Sequence, residues 1–420
     1  MKNPTSEIIT IGDEILIGQT IDTNSAWIGE RMSMIGIPVK RIISISDSSD
    51  EIRLALADSI SRADVVLITG GLGPTNDDRT KSTLAEFFNS ELIEDKTVLE
   101  DILQLLKVRN VPVSSLNRAQ ALVPHNCRVI RNPQGTAPCM WFEKDGKVVI
   151  SMPGVPYEMI SIMETSVLSL LKTHFKTPAI LHKTIMTTGV PESKLATMLV
   201  DWEMALPGNF SIAYLPSPGM VRLRISGIGD SRTGLETEMS YLTESLVAIV
   251  KDYHFGYDEI SLEEKIGQIL SESHRSIATA ESCTGGNIAR LLTRIPGSSS
   301  YYKGSIVAYA NEIKVKYLDV PELMLNQYGA VSQQVVEQMA KSCLLHFDTD
   351  FSVATSGIAG PEGGTIAKPV GTTWIAVASR EGVFSQCFQF GEHRERNVVK
   401  ASLAALNMLR IEVLKETISK

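Results

Sequence analysis

Val65-Val66-Leu67-Ile68-Thr69-Gly70-Gly71-Leu72-Gly73-Pro74-Thr75 is the stretch on which the fold reading turns. Four branched or apolar residues in a row suit a short strand covered on both faces. The glycines and the proline stop it and open a loop. Upstream, Glu7–Ile11 is a second apolar run, ending in Gly12-Asp13-Glu14. Between the two lie a helical pattern over residues 24–34 and a strand over Val39–Ile45. A helix capped by Ser48 or Ser49 follows, carrying Ile52, Leu54, Leu56 and Ile60. Strands alternating with helices imply βαβ units and a mostly parallel sheet, whose ligands sit beyond the carboxyl ends of the strands. The Gly12 and Gly70 loops both follow strands, so one crevice can serve both.

Downstream, residues 116–123 read as a helix turn and a loop, and Asn132-Pro133-Gln134-Gly135-Thr136-Ala137-Pro138 as a loop. A strand over Val148–Ser151 leads into Pro153-Gly154-Val155-Pro156 and a helix over residues 157–171. Thr177-Pro178 marks a boundary. The next segment has the texture of a small α+β unit. It reads as a strand over 180–187, a helix over 191–198, a hairpin around Pro216-Ser217-Pro218-Gly219 and a helix over 235–250. A spacer or dimerisation module is the plainest role for it. A helix over 261–273 opens the last segment, followed by strands over 276–280, 305–309, 351–355 and 370–378. No internal repeat is visible.

Composition sets bounds on all of this. With 43% hydrophobic and 21% charged residues the chain is of globular type, so disorder is excluded as the default. Its formal net charge of −8 repels a phosphate backbone at long range, so nucleic acid is not an expected partner. The five cysteines, Cys127, Cys139, Cys283, Cys343 and Cys387, form no C-x-x-C pair, which argues against a structural zinc or a disulfide framework. No stretch suits a signal peptide or a membrane span, so a cytoplasmic protein is expected.

The strand over 276–280 ends at Glu281-Ser282-Cys283-Thr284-Gly285-Gly286. A serine on a strand-to-helix turn can act as a nucleophile, with the amides of the helix start facing an oxyanion or a phosphate. It needs a base. Lys314, in Tyr309-Ala310-Asn311-Glu312-Ile313-Lys314, can serve if burial lowers its pKa. Against this stand the ordinary roles of a helix-capping serine and a surface lysine. Cys283 is a neighbouring rival nucleophile. Ser356-Gly357-Ile358-Ala359-Gly360-Pro361 adds a second glycine-rich loop after a strand. At the other end of the chain, Gly70 to Thr75 can cradle phosphates, and Asp13, Glu14, Asp77 and Asp78 offer carboxylates for a hard divalent cation. Alternatively Asp77 or Asp78 caps a helix beginning near Arg79.

Six ordered segments of the last third carry a family resemblance: Glu281–Gly286, Pro296–Ser299, Tyr309–Lys314, Gly329–Ser332, Ser356–Pro361 and Lys368–Thr372. Together they resemble the C-terminal domain of the CinA family (competence/damage-inducible protein). Gly12–Leu16, Asp22–Asn24, Thr69–Thr75, Asp77-Asp78, Asn132–Pro138 and Pro153–Pro156 resemble that family's molybdopterin-binding-like N-terminal domain. The resemblance implies an α/β protein of three parts: a three-layer α/β molybdopterin-binding-like domain over 1–176, a small α+β KH-like domain over 177–256 and an α/β deamidase domain over 257–420.

For the last part it implies hydrolysis of nicotinamide mononucleotide to nicotinate mononucleotide and ammonia, without a cofactor, in pyridine-nucleotide salvage. Ser282 would be the nucleophile and Lys314 its base, with Tyr309 beside them. Thr284, Gly285, Gly286, Ser299, Asn311, Ser356, Gly357 and Arg394 would contact substrate, Ser356 through its hydroxyl. Arg396 competes with Arg394 for the phosphate. For the first part it implies a metal-dependent ADP-ribose pyrophosphatase yielding AMP and ribose 5-phosphate. Gly70, Gly71, Gly73 and Thr75 would bind substrate there, and Asp13, Glu14, Asp77 and Asp78 would hold Mg, Mn or Co. Cys139 departs from the family at a position where glycine is usual, which is harmless at negative φ. Small nucleotides are the expected partners and a homodimer the expected assembly. The contrasting expectation is a non-catalytic nucleotide- or pterin-binding regulator linked to competence.

Overall fold

The computed structural model describes residues 4–75 and 78–418. It separates into two compact units, Met1–Leu181 with Gly227–Glu236, and His182–Ser226 with Thr237–Lys420.

The strands of the first unit are β1 (Ser6–Ile11), β2 (Val39–Ile45), β3 (Val65–Thr69), β4 (Leu92–Glu94), β5 (Leu122–Pro124), β6 (Arg128–Ile130), β7 (Cys139–Lys144) and β8 (Lys147–Met152). Six of them form one sheet in the order β2-β1-β3-β8-β7-β6, and β4 pairs with β5 separately. β1, β2, β3 and β8 are parallel, and β7 and β6 close one edge antiparallel. β1 and β3 are buried along their whole length, as helices on both faces of a parallel sheet require. Side chains alternate between two cores. Ile8, Ile28, Val65, Leu67 and Ile150 fill one face, and Ile9, Ile52, Leu56, Val66 and Ile68 the other. Glu7, buried on β1, lies opposite Arg41 on β2 and accepts from its Nε at 3.1 Å. Arg62 Nε adds a second contact at 3.0 Å. Charge pairing and strand register therefore agree.

The helix expected over 157–171 is a rod of three parts: Pro156–Ile162, a π turn Met163–Val167, and Leu168–His174. The helix Lys96–Val108 was not read from the sequence, although Val98, Ile102 and Leu106 recur at helical spacing and Asp95 caps its start. Cys139 begins β7, is fully buried and has no positive φ, so the side chain replacing the family's glycine is accommodated.

The middle segment contributes β9 (Ala179–Thr188), β10 (Phe210–Ser217), β11 (Met220–Gly229) and β12 (His254–Tyr257), ordered β10-β11-β9-β12. Its helices are Glu192–Met204 and Arg232–Val250. Met186 and Phe255 lie in the same apolar cluster as Leu262, Ile266, Phe351, Leu406 and Leu409 of the last segment.

The last segment holds β13 (Ile277–Glu281), β14 (Tyr302–Val307), β15 (Phe351–Gly357), β16 (Thr372–Ser379) and β17 (Gly382–Gln389) in the order β14-β13-β15-β16-β17. β13, β14 and β15 are parallel, and the last two strands are antiparallel. One face of this sheet is built from Ala278, Ala280, Ala354, Ala376 and Ala378, against Val336, Met339, Ala340 and Cys343 of the helix Gln333–Phe347. The other face, with Ile277, Val353, Ile375 and Val377, receives the helix Arg394–Ile418.

Gly70, just past β3, has φ 110°, and a Cβ there would collide with the Ile11 carbonyl oxygen at the end of β1. Gly146 also has positive φ, but nothing lies within 4 Å of its missing Cβ. Gly70→Ala should therefore cost upwards of about 1–3 kcal/mol. Gly146→Ala should cost only the conformational part, roughly 1–2 kcal/mol. Urea midpoints of the two variants check the difference; equal losses would contradict the close approach of the Gly70 backbone to β1.

Candidate functional site

Three parallel strands of the last segment end at one edge of the sheet. β13 leads into Ser282, β14 into Tyr309 and Lys314, and β15 into Ser356-Gly357. β13 is the centre of the three, with β14 and β15, the next two strands of the chain, on opposite sides. At such a reversal the loops diverge and leave a crevice.

The turn after β13 is shaped by Glu281. Alternation along the strand turns Glu281 to the same side as Thr279, and its carboxylate is fully buried there. It accepts from the backbone amides of Gly286 at 3.1 Å, Ile288 at 3.0 Å and Ala289 at 2.8 Å. The helix Asn287–Thr293 is thus capped from within the chain. This corrects the expectation that its start would face an oxyanion or a phosphate: those amides are occupied. Gly285 donates to the Ser282 carbonyl and Asn287 to that of Thr284. Among the described residues, the amide of Thr284 is left open in the turn, while that of Cys283 lies against its own thiol. Gly285 and Gly286 take φ of 60° and 92°, where a side chain would be strained. The Thr284 hydroxyl pairs with that of Thr355 at 2.8 Å, which fastens the turn to β15.

Ser282 is 8% exposed, and its hydroxyl makes no hydrogen bond among the described residues. Lys314 is 1% exposed. Its Nζ meets the carbonyls of Ala308 at 2.8 Å and Tyr309 at 3.4 Å, and no carboxylate among the described residues. Burial holds its pKa below the ordinary lysine value. A neutral amine can donate to both carbonyls and keep its lone pair free. Cys283 behaves oppositely as a nucleophile: burial pushes its thiol up to about 12, against opposing hydrogen bonds that include one with Thr355. A protonated buried thiol is inert.

Arg394 ties two loops together, donating from Nη1 to the Gly360 carbonyl and from Nη2 to the Tyr309 hydroxyl, each at 2.7 Å. Tyr309, 60% exposed, therefore stands at the rim. The Arg396 side chain has no hydrogen bond or ion pair among the described residues, and its amide makes a long contact to His393 Nδ1 at 3.5 Å. Asn311 is an exposed first residue of the helix Asn311–Leu318. Ser356 donates to the Ala330 carbonyl at 2.7 Å, a bond within the protein. Gly357 has no room for a side chain, because Thr373 lies against it. Ser299 is not brought to Ser282 within this chain. It lies in the turn Ser298–Ser300 just before β14, where Tyr301 pairs with Ile277 at the start of β13. Ser282 follows the other end of that strand, so within one chain the two residues sit at opposite edges of the sheet.

The first unit repeats the pattern. β1 is flanked by β2 and β3, and the Gly12 and Gly70 loops leave the same edge. Asn24 Nδ2 reaches Thr69 Oγ1 at 3.1 Å and the Gly154 carbonyl at 2.8 Å, binding the Gly154 loop to the crevice. The loop Gly73–Thr75 is not an open phosphate cradle. Asp78 accepts from the Gly73 amide at 2.7 Å, the Thr75 amide at 3.0 Å and the Thr75 hydroxyl. Asp78 therefore does not cap the helix Thr80–Phe87. Asp13 and Glu14 are exposed on the turn Asp13–Leu16, and Asp77 lies outside the described residues. Among the described residues no three His, Cys, Asp or Glu side chains gather as a metal cage. Lys81, not singled out in the sequence, is brought by burial to about 8 and donates to the Gln120 carbonyl at 2.9 Å. No helix of the described residues is long and apolar enough to cross a membrane.

Known proteins agree with this architecture. Family models match in order: one described as "Probable molybdopterin binding domain" over residues 7–173, the damage-inducible protein CinA KH domain over 182–256, and the CinA C-terminal domain over 259–413. A CinA-like protein of Cytophaga hutchinsonii is 47% identical, covering 98% of this chain and 98% of its own. One of Flavobacterium psychrophilum is also 47% identical, over 97% and 98%. The crystal structure of the competence/damage inducible protein CihA from Agrobacterium tumefaciens shares 38% identity, covers 36% of this chain and 93% of that one, and has a TM-score of 0.36. With a CinA model on its middle and last parts and relatives alike along nearly its whole length, the chain belongs to the CinA family.

Proposed function

We propose that the last domain is a serine amidohydrolase acting on nicotinamide mononucleotide. The observation that carries this reading is Lys314: a fully buried lysine without a carboxylate, at the sheet edge where the unpartnered Ser282 hydroxyl emerges. In the proposed reaction, neutral Lys314 takes the proton of Ser282 as its oxygen attacks the carboxamide carbon. The open amide of Thr284 receives the oxyanion, in place of the helix start. Lys314 returns the proton to the amide nitrogen and ammonia leaves. Water, deprotonated by the same lysine, then hydrolyses the acyl ester to nicotinate mononucleotide and frees Ser282. Arg394 keeps donors beyond those given to Gly360 and Tyr309, and these suit the substrate phosphate.

For the first unit we propose nucleotide or pterin binding at the crevice beyond β1 and β3, supported by the close packing of Gly70 on Ile11.

Full-length protein given nicotinamide mononucleotide should release ammonia, and Ser282→Ala and Lys314→Ala should each lower the rate by about 10²–10⁴-fold or more. Cys283→Ala should stay within a few-fold of the parent. An active Ser282→Ala would sink the scheme. The pH profile tests the base separately. Lys314 must be neutral to act, so kcat/KM should fall as pH drops through its lowered pKa and level off above it. An acid limb near about 4, the carboxylate range, would point to a different base.

A further inference from the structure

Arg410, on the helix Arg394–Ile418, is 6% exposed. A guanidinium removed from water ordinarily needs an anion beside it. Here Nε donates to Asn407 Oδ1 and Nη1 to the His254 carbonyl, both at 3.1 Å. Acids on the same helix are engaged elsewhere: Glu412 with Lys415 at 2.7 Å and Glu416 with Arg275 at 3.7 Å. Arg410 meets no carboxylate among the described residues, and its remaining Nη hydrogens keep the forked edge that suits carboxylate and phosphate oxygens.

The residue borders a cavity of about 460 Å³ between β12 and the helices Leu262–Glu272 and Arg394–Ile418. Lys265 and His254 line it too, and Glu272, at its exposed rim, is the one acid among the lining residues. His254 Nε2 faces the Gly256 carbonyl at 3.0 Å, so that nitrogen carries the proton. Burial lowers the pKa of the ring, the Gly256 bond opposes this, and the charges of Arg410 and Lys265 reinforce it. Two cations thus converge on one hollow whose walls supply little negative charge. The volume falls within the range of small-molecule sites.

We propose that this cavity binds a phosphate group between Arg410 and Lys265, carried by inorganic phosphate or by a nucleoside monophosphate. The bound anion would supply the counter-charge that Arg410 lacks and would brace β12 against the two helices. The proposal is independent of the amidohydrolase reading.

Hydrogen exchange of the full-length protein, titrated with inorganic phosphate, AMP or uncharged adenosine, provides the test. Phosphate or AMP should slow exchange saturably over His254–Tyr257 and Leu262–Glu272, and adenosine should not. Tighter binding of AMP than of phosphate assigns a nucleotide; equal binding assigns the bare anion. Lys265→Met and Arg410→Gln should each weaken the effect by roughly tenfold or more. Lys265→Met carries the test if the buried arginine proves necessary for folding, and its ammonia release should match the parent. No protection by either anion, or undiminished protection in Lys265→Met, overturns the proposal.

Discussion

A parallel strand cannot hand its chain to its neighbour directly; the chain must cross over a face of the sheet and start again at the same end. In both large sheets of this protein the first strand lies between the second and the third, so consecutive crossovers depart in opposite directions. The loops that leave the central strand and its flanking partners are thereby parted at one edge. The Gly12 and Gly70 loops in the first unit, and the Ser282, Tyr309 and Ser356 loops in the last segment, occupy that position. Both strand-end crevices rest on this arrangement, since none of these residues is near its counterparts in sequence.

Within the last segment the arrangement is refined by a single carboxylate. Glu281 ends a buried strand, and no cation lies within ion-pairing reach of it among the described residues; three backbone amides and, at 3.5 Å, the Thr279 hydroxyl donate to it. It binds the following helix to the strand and fixes the Ser282 turn between them. Because the helix amides face inward onto Glu281, the donors left to the crevice are those of the turn itself. Asp78 plays a comparable part in the first unit, folding Gly73 and Thr75 around its own side chain.

Much of the fold was legible because strand and loop signals are local. Val39–Ile45 and Val65–Thr69 are bounded by turn residues, and their branched side chains leave little choice. The helix Arg394–Ile418 was not legible. Its buried residues, among them Ala401, Leu403, Ala405, Leu406, Leu409 and Val413, spread round too much of the circumference to leave one apolar stripe. β17 escaped because its residues are mostly exposed. At the site, the motifs named Ser282 and Lys314, but the state of each depends on partners distant in sequence. What surrounds Lys314 follows from strand pairing, which no local pattern encodes. The separation of Ser299 from Ser282 within the chain was hidden for the same reason: a motif fixes order along the chain, not which edge of a sheet a turn occupies. The donors around Asp78 are near in sequence, yet whether a carboxylate turns inward or outward is settled by the loop's own closure.

The apolar cluster that joins Met186 and Phe255 to Leu262, Ile266 and Leu406 has a bearing on cooperativity. The change of texture near residue 257 looks like a seam, but the core runs through it. Melting the middle segment alone would strip cover from Leu262 and Leu406, and melting the last segment alone would leave Met186 and Phe255 in water. Neither can loosen without raising the free energy of the other. Residues on the two sides of the seam therefore share one unfolding transition, and local breathing large enough to open one of them must open both.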